Sequence, residues 1–312
     1  MSCWAMLALV SAAVFGLANL GLSVLVGAAW RLGLQRRGAT SAQILALRLV
    51  PSIGALVLSA AVALPAFLRT EPAHEAERAG ACIIALGLLG FGVLGAGIVR
   101  GWRAITSSRR LLRHCGRGDH RWVEEGRSVV LIDVAAPIVA VCGGWHPRII
   151  ASRRVFEACN EEEFRQVIAH EAAHLSTRDN LKLLMLISVP DALAWLPWGA
   201  RICACWRAAA EFEADDRAAG ADTSRRLSLA SALIKVARLD DGSQGRLPAL
   251  SMAVAADDVE GRVRRLLAPA AATPRRFTGR ALAAGVMLVP VLALPYYGLI
   301  HRAIEALVAF GR

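Results

Sequence analysis

Four stretches of this 312-residue chain contain no charged residue: Cys3 to Trp30, Leu49 to Leu68, Gly80 to Val99 and Ala281 to Ile300. Each reaches the roughly 20 residues that a helix needs to cross a bilayer. Hydrophobic residues make up 56% of the chain, and the mean hydropathy is +0.47, which is too apolar for an ordinary soluble protein of this length. The stretches carry Pro51, Pro65, Pro290 and Pro295, which membrane helices tolerate. Four such runs exclude a soluble core built of buried helices. A basic segment ahead of the first run is also missing, and the run is too long for a signal peptide, so it is expected to remain as a membrane helix. The seven cysteines form no Cys-x-x-Cys pair. An odd count in a membrane or cytoplasmic setting argues for reduced thiols, and Cys203-Ala204-Cys205 alone is a weak metal motif.

Acidic residues are fewer than basic ones, 25 against 36, for a net charge of +11. The arginines cluster beside the apolar runs. Arg31, Arg36, Arg37 and Arg48 follow the first, and Arg100, Arg103, Arg109, Arg110 and Arg113 follow the third. Attraction to anionic lipid accounts for them, and no motif that reads bases is visible, so no direct nucleic-acid partner is expected. The positive-inside rule places the N-terminus outside and residues 100–280 in the cytoplasm of a bacterial-type inner or plasma membrane.

Against this apolar background stands His170-Glu171-Ala172-Ala173-His174, a complete HExxH. On a helix, His170 and His174 share a face and can point at one metal ion, with Glu171 beside them as the general base. Asn160 followed by Glu163 is a capping box, so this helix is expected to start near residue 160. Catalytic zinc takes three protein ligands. The extended form HExxHxxGxxH is excluded, because Thr177 and Asn180 stand where it needs Gly and His. A later helix can supply a glutamate instead. In Trp206 to Arg217, Glu211 and Asp215 are four apart and share a face. Glu211 is read as the third ligand. Asp215 and Asp179 are read as carboxylates that accept the free ring N–H of the ligand histidines. Arg217 and His146 are the candidates for a cationic or hydrogen-bonding helper at the oxyanion, and spacing does not choose between them.

These residues, HEAAHLSTRDN at 170–180 and EFEAD at 211–215, resemble the BlaR/MecR-type membrane metallopeptidases, the zinc-protease module of β-lactam sensor-transducers. Less closely, they resemble membrane proteases of the CAAX-processing and HtpX type. Both groups pair HExxH with a later E-x-x-x-D. The resemblance implies zinc on His170, His174 and Glu211, one ion per chain, with Glu171 as general base. Glu213 is a rival ligand, and the spacing to Asp215 favours Glu211. Residues 143–150 are similar to the strand that precedes the active-site helix in these families. The chain departs from the sensors in showing no Ser-x-x-Lys acylation motif, so the resemblance does not extend to β-lactam sensing.

The fold expected is a mostly α membrane protein. About four transmembrane helices carry an α+β zinc peptidase domain of gluzincin type, inserted before the last helix. Residues 1–99 form a three-helix membrane region. Residues 100–280 form the peptidase domain, within which 181–200 are a membrane-associated hairpin, and 281–312 hold the last helix and a short tail. Two or three strands are expected within 127–151, and 139–151 as an edge for an extended peptide. Residues 100–126 read as a juxtamembrane helix and loop. Trp195, Trp198 and Trp206 suit a membrane interface. A helix at 258–268 is expected to face Arg262, Arg264 and Arg265 outward. The function expected is regulatory proteolysis of a protein substrate, for example a transcriptional repressor. Two alternatives are HtpX-like quality control of membrane proteins and a non-catalytic scaffold with a structural zinc. A homodimer is compatible with this reading.

Overall fold

The computed structural model describes residues 3–32, 39–63, 80–115, 120–124, 127–143, 147–239, 259–268 and 302. The last apolar run (281–300) and His146 lie outside these residues. The chain divides into two compact units. One draws on Met1–Val99 and Ser188–Ala204, and the other on Arg100–Ile187 and Cys205–Arg275.

The first unit contains α1 (Cys3–Leu32), α2 (Ser41–Leu58, extended by a π turn over Ser59–Ala63) and the start of α3 (Ala81–Cys115). All three helices are long and apolar enough to cross a membrane. A Cβ on Gly90 would collide with the Ala12 carbonyl, so α1 and α3 approach closely there. Helix α2 begins at Ser41, eight residues before the uncharged run. Thr40 and Gln43 form a capping box at its start. Arg48, which immediately precedes the uncharged run, lies inside the helix. It is buried and ion-paired with Asp191.

The second unit is built on a four-stranded sheet of order β1-β2-β4-β3, with β1 (His120–Glu124), β2 (Arg127–Ile132), β3 (Val139–Cys142) and β4 (Arg148–Ser152). Strand β1 pairs antiparallel with β2, β2 parallel with β4, and β3 antiparallel with β4. The first strand was not foreseen: its segment is basic and polar and lacks apolar alternation. Side chains along β2, β3 and β4 alternate between faces. Val129, Val141, Ile149 and Ala151 form one core with Phe164 and Ile168. Ile150, Ala140, Cys142 and Ile132 pack on the other side.

After the short α4 (Arg153–Ala158) comes α5 (Glu161–Thr177). Its N-cap is Asn160, whose side chain accepts from the Glu163 N–H at 2.8 Å, while Glu163 accepts from the Asn160 N–H at 2.8 Å. Helix α5 ends on Arg178 in the left-handed region (φ 54°, ψ 41°). That residue turns the chain straight into α6 (Asp179–Ser188). A short 3₁₀ turn (Ala192–Trp195) then leads to α7 (Pro197–Ala219). Trp206 on α7 is fully buried, as are Ala210 and Ala214 four and eight residues on, so this tryptophan belongs to a core stripe rather than an interface. Helices α8 (Thr223–Leu239) and α9 (Val259–Leu267) complete the described residues of the unit. Leu229, Leu233 and Leu266 close a further core against Ala218 and Ala219.

Candidate metal centre

Helical spacing brings His170 and His174 to one buried face of α5, with ring centroids 4.8 Å apart. Helix α7 brings Glu211 to the same point. The two histidine Nε2 atoms are 3.2 Å apart. Glu211 Oε2 is 3.2 Å from His170 Nε2, and Oε1 is 3.4 Å from His174 Nε2. Among the described residues, these three side chains form the group whose donor atoms could hold one metal ion. Taken one per residue, the three donor atoms lie within 4.8 Å of one another. A tetrahedral zinc with bonds of about 2.0–2.1 Å keeps its ligand atoms about 3.3–3.4 Å apart, so each Glu211 oxygen already lies near that spacing from one histidine nitrogen.

The other ring nitrogens are tied. His174 Nδ1 lies 2.9 Å from Asp179 Oδ2 and His170 Nδ1 lies 2.9 Å from Asp215 Oδ1. With Nδ1–H donated to a carboxylate, each ring turns its Nε2 lone pair toward the centre. The left-handed Arg178 makes the first contact possible, because the sharp helix end folds Asp179 back onto the last turn of α5. Asp179 is buried and also accepts from Lys182 at 2.7 Å. Next to it on α6, Asn180 donates to the Val141 and Gly143 carbonyls (2.7 and 3.1 Å), which ties edge strand β3 to the metal-ligand helices.

One participant comes from α9. Arg262 is 1% exposed. Its Nε donates to Asp215 Oδ2 at 2.8 Å and its Nη2 to Oδ1 at 2.6 Å, a two-pronged pairing. Its Nη1 lies 2.8 Å from Glu211 Oε2, an ion contact without hydrogen-bond alignment. The expectation that Arg262 faces outward is therefore corrected. Val259, Arg262 and Leu266 share the inner face of α9, whereas Arg264 is exposed and Arg265 pairs with Asp216 at the surface. A sequence signal existed, since Arg262 falls inside the helix's apolar stripe at positions i+3 and i−4. Arg217 is the other expected helper. It lies on the exposed face of α7 and meets Glu213 at 3.4 Å, one helical turn away from it. That contact also accounts for Glu213, the rival ligand.

Burial pushes the Glu171 carboxyl above its usual range, and one of its oxygens, Oε2, is buried with no partner among the described residues. A carboxylate kept this way is suited to take up a proton. In the metal-free chain, burial and the Arg262 charge work against a proton on His170, but bonds to Asp215 and Glu211 outweigh them and raise its pKa. Burial likewise opposes a proton on His174, yet Asp179 and Glu211 push it up to about 10. Burial disfavours the Glu211 anion, but hydrogen bonds from both histidines and the Arg262 charge hold it well below the ordinary glutamate value. The cluster is thus rich in negative charge. Among the described residues, Glu171, Asp179, Glu211 and Asp215 face two permanent cations, Lys182 and Arg262. A dication makes up the difference while both imidazoles stay neutral, so the donor set fits zinc in charge as well as spacing.

The sequence model of Peptidase family M48 matches residues 123–240, a span that holds His170, His174 and Glu211 but ends before Arg262. No curated protein and no solved structure matches the chain. M48 peptidases are zinc metallopeptidases, and residues 123–240 are similar to that family; the match does not reach the BlaR/MecR type.

Proposed function

We propose that the chain is an integral-membrane zinc endopeptidase that hydrolyses peptide bonds of a protein substrate. The observation that carries this reading is the buried His170, His174 and Glu211 triad, with one donor atom from each within 4.8 Å of the others, and a Glu171 oxygen that has no partner among the described residues. Bound by His170, His174 and Glu211, the metal would supply Lewis acidity toward the scissile carbonyl and toward water. Glu171 takes the proton of the attacking water and delivers it to the leaving amine. Asp179 and Asp215 hold the two imidazoles in the tautomer that ligation requires.

The peptidase domain works on the cytoplasmic side, as the arginine distribution supports, and its task is regulatory proteolysis, for example of a transcriptional repressor. That task rests on the resemblance to the BlaR/MecR type. The match to M48 stops short of that type, and the weaker resemblance to HtpX-type proteases supports a second reading in which the enzyme removes damaged membrane proteins. An inducer separates the two: regulatory cleavage waits for one, whereas quality control acts on misfolded substrates without it.

The test is metal content of the detergent-purified chain together with peptide cleavage. About one zinc per chain, lost in Glu211→Gln, with cleavage abolished in Glu171→Gln while zinc is retained, supports the reading. Folded protein without zinc refutes it.

A further inference from the structure

Arg262 is the group at this centre for which neither ligation nor proton transfer provides a role. We propose that it is a positioning residue. Its guanidinium holds Asp215 and Glu211 against the histidine pair, so that tight zinc binding requires α9 to be seated on the unit. This inference rests on the metal site proposed above.

One planar group makes all three connections. Two of its nitrogens grip Asp215, whose Oδ1 is also the atom facing His170 Nδ1, and the third nitrogen meets the ligand Glu211. A lysine would bring the same charge but could not form the fork. Helix α9 is nine residues long, and helices shorter than about 12–15 residues are marginal on their own. Its helicity therefore depends on what it docks against. At its far end, buried Arg226 of α8 donates to the Leu266, Arg265 and Ala268 carbonyls at 2.9, 2.7 and 2.9 Å, satisfying acceptors that a helix end leaves open. Arg265 adds a 2.6 Å contact to Asp216 of α7 and lies over the Phe212 ring. So α9 is clasped at one end by Arg226, and from within it Arg262 reaches the metal centre. By reciprocity, whatever zinc gains from a seated α9, α9 gains from zinc.

A bare counter-ion would behave differently. If Arg262 acted only through its charge, it would repel the dication. Lysine would then leave affinity unchanged, and a neutral residue would raise it.

The experiment measures zinc affinity of the full-length chain by competition with a chelator. Arg262→Lys is expected to weaken zinc binding by about 10–100-fold and Arg262→Gln by at least as much, the usual cost of losing a group behind a metal ligand. The cobalt(II)-loaded Lys variant is expected to show an altered visible absorption band while its circular dichroism stays that of the wild type. Arg264→Gln, on the exposed face of the same helix, is expected to stay within about two-fold of wild type. Because an Arg262 variant can fail to fold, the unmodified chain supplies a second readout: adding zinc is expected to slow hydrogen exchange across 259–268. Wild-type affinity in the Lys variant, tighter binding in the Gln variant, or unchanged exchange in α9 overturns the proposal. Absence of zinc binding by the wild type overturns instead the metal site on which it rests.

Discussion

Arg48 and Arg262 are both sealed from solvent, at 2% and 1% exposure, and each faces an aspartate, yet their surroundings differ in one respect. In the apolar first unit, Arg48 of α2 meets Asp191, one cation for one anion. Asn19 and Ser52 both donate to the Pro190 carbonyl at 2.9 Å, Asn19 accepts from the Ala192 N–H at 2.9 Å, and Asp191 accepts from the Ala194 N–H at 2.9 Å. Those bonds pin the 190–194 turn to α1 and α2. Around Arg262 the anions outnumber the permanent cations by two. A buried cluster with closed charge is a fastening. One with a surplus of two negative charges and three converging metal-type donors fits a dication.

The sharpest way to break this comparison is to unbalance the closed cluster. Asp191→Asn strands the Arg48 charge in apolar surroundings and is expected to cost about 3–5 kcal/mol of stability, read as a drop in Tm in detergent. The double replacement of Arg48 and Asp191 by leucine is expected to recover most of the loss, because a closed pair is replaceable by apolar packing. A single variant that melts like the wild type would show that the pair is not the fastening described.

The open cluster responds to metal rather than to repair. Zinc at about one hundred times its dissociation constant is expected to stabilise the wild type by about 2.7 kcal/mol. Glu211→Gln is expected to lose that gain, whereas the leucine pair at 48 and 191 keeps it. Asp179→Asn tests the next layer. Asn can still accept from His174 Nδ1–H but lacks the charge, so zinc affinity is expected to fall by about 10–100-fold, measured by chelator competition. An unchanged affinity would mean that the turn at Arg178 serves packing alone.

Much of the open cluster was legible because helical spacing is local. His170 and His174 are one turn apart, Glu211 and Asp215 likewise, and Asp179 follows the same helix. What could not be read is what the chain brings from far away. Arg262 is 47 residues from its partner Asp215. Its clue was not the motif but a charged residue placed within an apolar stripe, and outward-facing arginines on a basic helix are the commoner pattern. The start of α2 was missed for a related reason. Arg48 immediately precedes the uncharged run, and its neutralising aspartate lies 143 residues later. Strand β1 was missed because its place in the sheet comes from pairing with β2, not from apolar alternation of its own. In each case a charge that the local pattern reads as solvent-facing is answered by a partner distant in sequence, or a polar segment is held by backbone bonds to a neighbour.

The smallest effect separates the scaffold of the open cluster from its chemistry. Glu163 sits two turns before His170 on α5 and joins three things. It completes the capping box with Asn160, accepts from Ser231 Oγ at 2.7 Å and accepts from Lys235 Nζ at 2.6 Å, both on α8. Burial alone would raise its pKa, but these bonds outweigh it and hold the carboxyl below the ordinary glutamate value. A carboxylate with a lowered folded pKa contributes stability that is complete above its unfolded pKa and is lost as pH falls through the folded one. Lys235 is partly exposed, so the contribution is modest, about 1 kcal/mol. Glu163→Gln is expected to lower Tm by a few degrees at neutral pH and to converge with the wild type in acid below the ordinary glutamate range, with zinc stoichiometry unchanged at neutral pH. A Tm difference that persists undiminished in acid would show that Glu163 works through shape rather than charge. Loss of zinc along with the difference would place the α5–α8 junction inside the metal centre instead of beneath it.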